Sequence, residues 1–164
     1  MYFNVEFDDG INLSISPNVI EDISRFLAKK GFAVESGGIL LGRQISDTRS
    51  FEITCASFPS TIDIGKRFSF LRKRQPANKL ISAIWKKSKG IDNYLGEWHT
   101  HDQELPVPSD IDKILMDQVV SDGCCLLDRG FMLIIGNAGH AYVGAVNPDN
   151  DYGIYSERYF KWEK

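Results

Sequence analysis

The stretch "GEWHTHDQELPVPSDID", Gly96 to Asp112, sets two histidines one residue apart, then a serine eight positions after the second and an aspartate three positions after the serine. If its first part is a β-strand, alternate side chains share a face, so His99 and His101 project together while Thr100 points away. Their Cα atoms then lie about 6.7 Å apart. From that distance two imidazoles can converge on a tetrahedral zinc ion with bonds near ~2.0 Å. Asp112 is the nearest carboxylate able to add a third ligand. It falls in the first turn of a helix that begins near Ser109, and the Pro106-Val107-Pro108 loop is rigid enough to fold that helix start back over the strand end. Two histidines and one carboxylate leave the fourth position to water, the arrangement of a catalytic rather than a closed structural site. Ser109 stands where a hydroxyl could donate to the oxyanion that amide hydrolysis builds.

The same residues have plainer readings. Ser109 to Asp112 has the spacing of a capping box, in which the serine and a residue three later only satisfy a helix start. A histidine pair on a strand is also an ordinary surface or core feature. Glu35, in "ESGG", can be a solvated charge on a loop that leads into a strand.

Working outward, Phe3, Val5 and Phe7 alternate with polar residues, Asp9-Gly10 supplies turn chemistry, and Ile11, Leu13 and Ile15 alternate again, which predicts a β-hairpin. Ser16-Pro17 has the form of an N-cap followed by proline at the first helical position. Ile20, Ile23 and Leu27 then recur at helical spacing until Gly31 stops the run. "ESGGILLGR", Glu35 to Arg43, is a short apolar run of buried-strand type, and Phe51, Ile53 and Cys55 alternate as its neighbour. Leu80, Ile81, Ile84 and Trp85 mark a second helix ending near Gly90, and "YLGEWHT" has the aromatic, β-rich character of a strand. A third helix follows from Ser109 and carries Ile111, Ile114 and Leu115. The chain returns to strands in "GFMLIIG", a turn at Asn137-Ala138-Gly139, and "HAYVGAV". This order predicts one α/β domain over residues 1–164, with a mixed, largely antiparallel sheet flanked by helices.

With 164 residues, 43% of them hydrophobic, the chain can bury a core of its own. A formal charge of −3 argues against an electrostatic nucleic-acid binder. Cys55, Cys124 and Cys125 are odd in number, and the adjacent pair suits no simple disulfide framework, so a reducing cytoplasm is expected. The N-terminus lacks a basic and apolar targeting pattern, and no run approaches the ~18 apolar residues of a spanning helix. No membrane association is expected.

The pattern resembles that of the JAMM family of zinc-dependent isopeptidases, also called JAB or MPN. Its motif is an upstream glutamate, then His-x-His, seven residues, Ser, two residues and Asp. Glu35, His99, His101, Ser109 and Asp112 fill every position, and the order of helices and strands follows the family over most of the chain. The resemblance implies a single JAB/MPN-type domain of the cytidine-deaminase-like class. It also implies one zinc ion per chain held by His99, His101 and Asp112, with Glu35 as general acid and base on the bound water and Ser109 steadying the tetrahedral intermediate.

A narrower resemblance lies in "FSFLRKRQPANKLISAIWKKSKGIDNYLGEWHTH" followed by "PVPSDID". It is similar to the bacterial branch found in CBASS antiphage operons, in which a peptidase accompanies a ubiquitin-transfer-like enzyme and a cyclic-nucleotide synthase of the CD-NTase type. In that branch the transfer enzyme attaches the synthase's C-terminus to other molecules and the peptidase removes it. The implied substrate is therefore the C-terminal tail of a conjugated protein, a CD-NTase. The chain departs from the branch at Asp102, where proline usually follows the second histidine. It also has no room for the large insertions with which eukaryotic relatives grip ubiquitin. The remaining alternatives are a peptidase for another ubiquitin-like or sulfur-carrier protein and a non-catalytic MPN-type interaction module, against which the complete motif speaks.

Other features carry less. Lys66, Arg67, Arg72, Lys73 and Arg74, interleaved with Phe68 and Phe70, form a basic run that could guide an acidic tail or merely face solvent. Cys124-Cys125 lacks the His-x-Glu and Pro-Cys-x-x-Cys strings of zinc deaminases, which leaves them as buried small residues. Glu97, two positions before His99, could orient an imidazole or be an ordinary strand carboxylate. His140 is expected to be structural or exposed.

Overall fold

A computed structural model describes residues 2–46, 48–59, 64–66, 69–71, 74–121, 129–146 and 154–162. The predicted first hairpin is present as β1 (Phe3–Glu6) and β2 (Asn12–Ile15). Helix α1 (Pro17–Lys30) starts as the sequence dictates: Ser16 Oγ accepts the Val19 N–H at 3.4 Å and Pro17 opens the first turn. It stops where Gly31 adopts φ 71° and returns its N–H to the Leu27 carbonyl, a conformation an L side chain rarely adopts. Strands β3 (Gly37–Ile45) and β4 (Ser50–Ala56) follow, then a short pair, β5 (Ile64–Lys66) and β6 (Ser69–Leu71). After helix α2 (Arg74–Lys87) come β7 (Asn93–Thr100), helix α3 (Asp110–Ser121), and strands β8 (Gly130–Ile135), β9 (His140–Val146) and β10 (Ile154–Lys161).

Eight strands form one sheet in the order β1-β2-β4-β3-β7-β8-β9-β10, while β5 and β6 pair separately. Within the large sheet only β2–β4 and β7–β8 are parallel; the other five pairings are antiparallel. The sheet is therefore mixed and largely antiparallel, with helices on its faces, as expected.

The sheet curls until its two edges meet. Phe3 on β1 stacks on Phe160 of β10 with ring centroids 4.1 Å apart, and Arg158 Nε donates to the Glu6 carbonyl at 3.1 Å while its guanidinium pairs with Asp8. The curl encloses α1, whose Val19, Ile23 and Leu27 enter a core with Leu13, Ile53, Leu95, Trp98 and Leu133. Burying a side chain such as Ile23 contributes about 1.5–3 kcal/mol. On the opposite face, α2 covers Ile39, Leu41 and Tyr94 through Ala77, Leu80, Ile81 and Ile84. Helix α3 covers Met132, Ile134 and Tyr142 through Met116.

Helix α3 departs from its apolar pattern. Ile111, Ile114 and Leu115 are 63%, 56% and 44% exposed, because Asp112 and Met116 take the sheet-facing positions instead. The cationic residues of the basic run and the Cys124-Cys125 pair lie outside the residues whose side chains are described. Cys55 is half-buried, and burial raises its thiol pKa above the ordinary value, the opposite of a nucleophile's requirement.

Candidate metal centre

Strand β7 carries the site to the α2/α3 side of the sheet. Its extra residue, Leu95, has no counterpart on β3: Gly96 pairs with Leu40, but Tyr94 already pairs with Leu41. Such a bulge shifts the alternation by one. Tyr94 and Glu97, three apart, consequently meet on one face, and the Tyr94 hydroxyl donates to Glu97 Oε1 at 3.1 Å. Glu97 thus receives a tyrosine hydroxyl and also lines the same cleft as His99 and His101.

Beyond the bulge the alternation is regular, and His99 and His101 face the same way, with their Nε2 atoms 3.2 Å apart. His99 Nε2 lies 3.1 Å from Asp112 Oδ1, and His101 Nε2 lies 3.4 Å from Asp112 Oδ2. Asp112 thus turns one oxygen toward each imidazole, and with one ligand atom from each residue the three donors lie within 4.8 Å of one another, close enough to gather round one ion. The donor set also fits, since two imidazoles and one carboxylate match an open zinc site. Among the described residues, this triad is the group able to hold a metal ion.

Asp112 arrives through the turn that starts α3. The capping box is present: Ser109 Oγ accepts the Asp112 N–H at 3.2 Å, and Asp112 Oδ2 accepts the Ser109 N–H at 2.7 Å. The Ser109 hydroxyl also donates to Asp112 Oδ2 at 2.7 Å. The cap and the site are therefore one structure, in which the cap aims the carboxylate. Burial alone would raise the Asp112 pKa, but hydrogen bonds from His101, His99 and Ser109 and the charge of His99 hold it well below the carboxylate range. For His101, burial disfavours the charged form, yet the hydrogen bond and charge of Asp112, with the charge of Glu35, push its pKa up.

Glu35 comes from the other side of the β3–β7 pairing. Gly37 pairs with His99, and the ladder continues through Ser36, whose N–H donates to Thr100 Oγ1 at 3.0 Å and whose carbonyl accepts the Thr100 N–H at 2.9 Å. One step further, Glu35 falls opposite His101. It is 7% exposed, which rules out the solvated-charge reading. Burial raises its pKa, opposed by the charges of His101 and His99 and reinforced by Asp112. A buried carboxyl with a raised pKa beside the candidate metal triad suits a proton-transfer role.

Glu35, His99, His101, Ser109 and Asp112 all line one cleft of about 480 Å³. Val107, Ile111, Leu115, Met116 and Met132 give it an apolar part, while Glu97 and Gln103 add polar lining. Asp102 also lines the cleft, and its Oδ1 accepts the Asn137 Nδ2–H at 2.8 Å. That bond, with the Asn137 N–H to the Gln103 carbonyl at 2.8 Å, ties the loop after His101 to the β8–β9 turn. Neither Asn137 nor Gly37 stood out in the sequence as part of the site. Gly37 is needed because a Cβ there would sit 2.3 Å from the Trp98 carbonyl and 2.9 Å from His99 Cβ. The glycine pair at the head of an apolar strand was its signal. His140 opens β9 and does not line the cleft.

The family model for prokaryotic homologues of the JAB domain matches residues 17–149. The chain is 33% identical over 108 residues to a CD-NTase/cGAS isopeptidase of Pseudomonas aeruginosa, covering 65% of this chain and 66% of that protein. It is 30% identical over 112 residues to one of Escherichia coli, covering 68% and 69%, and 31% identical over 145 residues to one of Enterobacter hormaechei, covering 85% and 77%. The matches to the first and second of these thus span about two thirds of the relatives' own length. The solution structure of protein DSY2949 from Desulfitobacterium hafniense shares the fold at a TM-score of 0.52 and 19% identity, covering 82% of this chain and 88% of that one. With a family model matched over most of its length and the fold in agreement, the chain belongs to the prokaryotic homologues of the JAB domain.

Proposed function

We propose that residues 1–164 act as a single zinc-dependent peptidase domain that cleaves the bond joining a CD-NTase C-terminus to its targets, the deconjugating arm of a CBASS antiphage system in the cytoplasm. The convergence of His99, His101 and Asp112 at 3.1–3.4 Å supports this reading above all, and relatives bearing the name CD-NTase/cGAS isopeptidase support the client.

Zinc held by this triad supplies Lewis acidity, lowering the pKa of water and polarising a carbonyl. Glu35 takes a proton at its buried carboxylate from the water that attacks the carbonyl carbon and hands it to the amine as the C–N bond breaks, a role for which its raised pKa suits it. The acceptance of the Ser109 hydroxyl by Asp112 keeps the carboxylate in one orientation. When substrate enters, the same hydroxyl can turn from Asp112 to donate to the developing oxyanion. The apolar side of the cleft excludes water around the extended tail.

The test is cleavage of a CD-NTase joined through its C-terminus to a reporter, by wild type and by Glu35→Ala at matched zinc content. We expect the variant to bind one zinc per chain and to lose at least about 10²-fold in rate. An equally active Glu35→Ala would remove Glu35 from the mechanism. Cutting of a ubiquitin-like precursor but not of the fusion would change the client, and an inert, zinc-free wild type would point to an interaction module.

A further inference from the structure

The two faces of α3 do different work. Asp112 and Met116 are buried toward the sheet, whereas Ile111, Ile114 and Leu115, at i, i+3 and i+4, form an exposed apolar stripe. Val107 and Leu105, each 51% exposed, extend it along the preceding loop. Single exposed apolar side chains are ordinary, but a contiguous stripe beside a binding cleft marks an interaction site. Continuity with the cleft is direct, because Val107, Ile111 and Leu115 also line it. Ile114 lies one step outward, beyond the cleft wall. Charge along this segment is uneven: among its described residues, 102–117, Asp102, Glu104, Asp110 and Asp117 are exposed, as is one base, Lys113, which lies 3.8 Å from Asp110.

We infer that this face docks the folded body of the protein whose C-terminal tail lies in the cleft, and that the body meets it with an apolar patch bordered by lysine or arginine. The inference rests on the peptidase reading. Ile111 and Leu115 form one wall of the cleft, so a chain leaving on that side crosses the outer face of α3. A body held there keeps its tail at high local concentration before the metal triad. The apolar stripe supplies affinity at the centre of the contact, and the acidic rim supplies orientation and encounter rate toward a basic partner.

The experiment compares Ile114→Asp with wild type on two substrates carrying one reporter: the whole CD-NTase and its C-terminal tail peptide alone. The inference predicts a KM higher by about tenfold or more for the whole protein, with kcat unchanged and tail cleavage within about twofold of wild type. Equal losses on both substrates, or no loss on either, would overturn it. Binding of a tail-truncated CD-NTase, read without catalysis, keeps docking and chemistry separable. Binding to wild type that is lost in Ile114→Asp and weakened by added salt supports docking even if wild type cuts neither substrate, in which case the peptidase reading alone fails. No binding of the truncated protein, or a dimer of this chain that Ile114→Asp dissociates with both cleavages intact, rejects the docking role.

Discussion

Ser109 and Asp112 hold each other across the first turn of α3: the Asp112 amide donates to Ser109 Oγ at 3.2 Å, while Asp112 Oδ2 accepts both the amide and the hydroxyl of Ser109 at 2.7 Å. One motif thus begins a helix and orients the carboxylate that faces the two imidazoles. Ser109→Ala is expected to destabilise the metal-free protein by about 1 kcal/mol, the usual worth of an N-cap. It should also weaken zinc binding about 10- to 100-fold, as loss of an orienting partner does. Thermal unfolding and a zinc competition titration read the two effects separately, and Ser109→Thr should recover most of both. An unchanged zinc affinity in Ser109→Ala would show that the serine does not aim the carboxylate.

Gly37 faces His99 across the β3–β7 ladder, where a Cβ would lie 2.3 Å from the Trp98 carbonyl. Backbone cannot yield as a flexible side chain does, so Gly37→Ala should cost about 1–3 kcal/mol. It should also reduce zinc affinity without altering any ligand, because the strand that carries His99 must move. A variant with wild-type unfolding temperature and zinc affinity would contradict this packing.

If the triad holds zinc as proposed, a proton and the metal ion compete for Nε2 of His101. The carboxylates of Asp112 and Glu35 raise the His101 pKa despite its burial, so competition sets in at a higher pH than for a free imidazole near ~6.5. Apparent zinc affinity should therefore already be falling at pH 7 to 6, with proton release on binding measurable by calorimetry in buffers of different ionisation enthalpy. A flat affinity down to pH 6 would argue against the assigned proton.

Burial raises the Glu35 pKa above its unfolded value. The folded metal-free protein then holds that proton more tightly than the unfolded chain does. This contribution to stability is complete below the unfolded pKa and is lost as pH rises through the raised value. Glu35→Gln removes the buried charge, so at neutral pH the metal-free variant should unfold at a higher temperature than wild type. The gap should close below about pH 4, where both carry a neutral side chain. Parallel curves across the whole range would refute the raised pKa.

Local physics wrote much of this protein into its sequence. The hairpin of β1 and β2 follows from two-residue alternation around a turn, and α1 from Ser16, Pro17 and Gly31, each acting within one turn of itself. The shared face of His99 and His101 follows from strand pleating alone, and the Ser109–Asp112 spacing fixes the cap. The tertiary structure decided what depends on partners distant in the chain. The bulge at Leu95 and the Ser36–Thr100 bonds, closed across 64 positions, set Glu35 opposite His101 instead of in solvent. The apolar periodicity of α3 did not reveal which face would be buried, because Met116 packs against Met132 and Ile134 while Asp112 is buried beside the two imidazoles. Asp102 stood out only as an unusual residue, and its bond to Asn137 exists because the β8–β9 turn folds back beside the loop after His101. Periodicity and caps are settled by the nearest few residues, whereas register, burial and the meeting of carboxylate with imidazole are settled by which surfaces the folded sheet brings together.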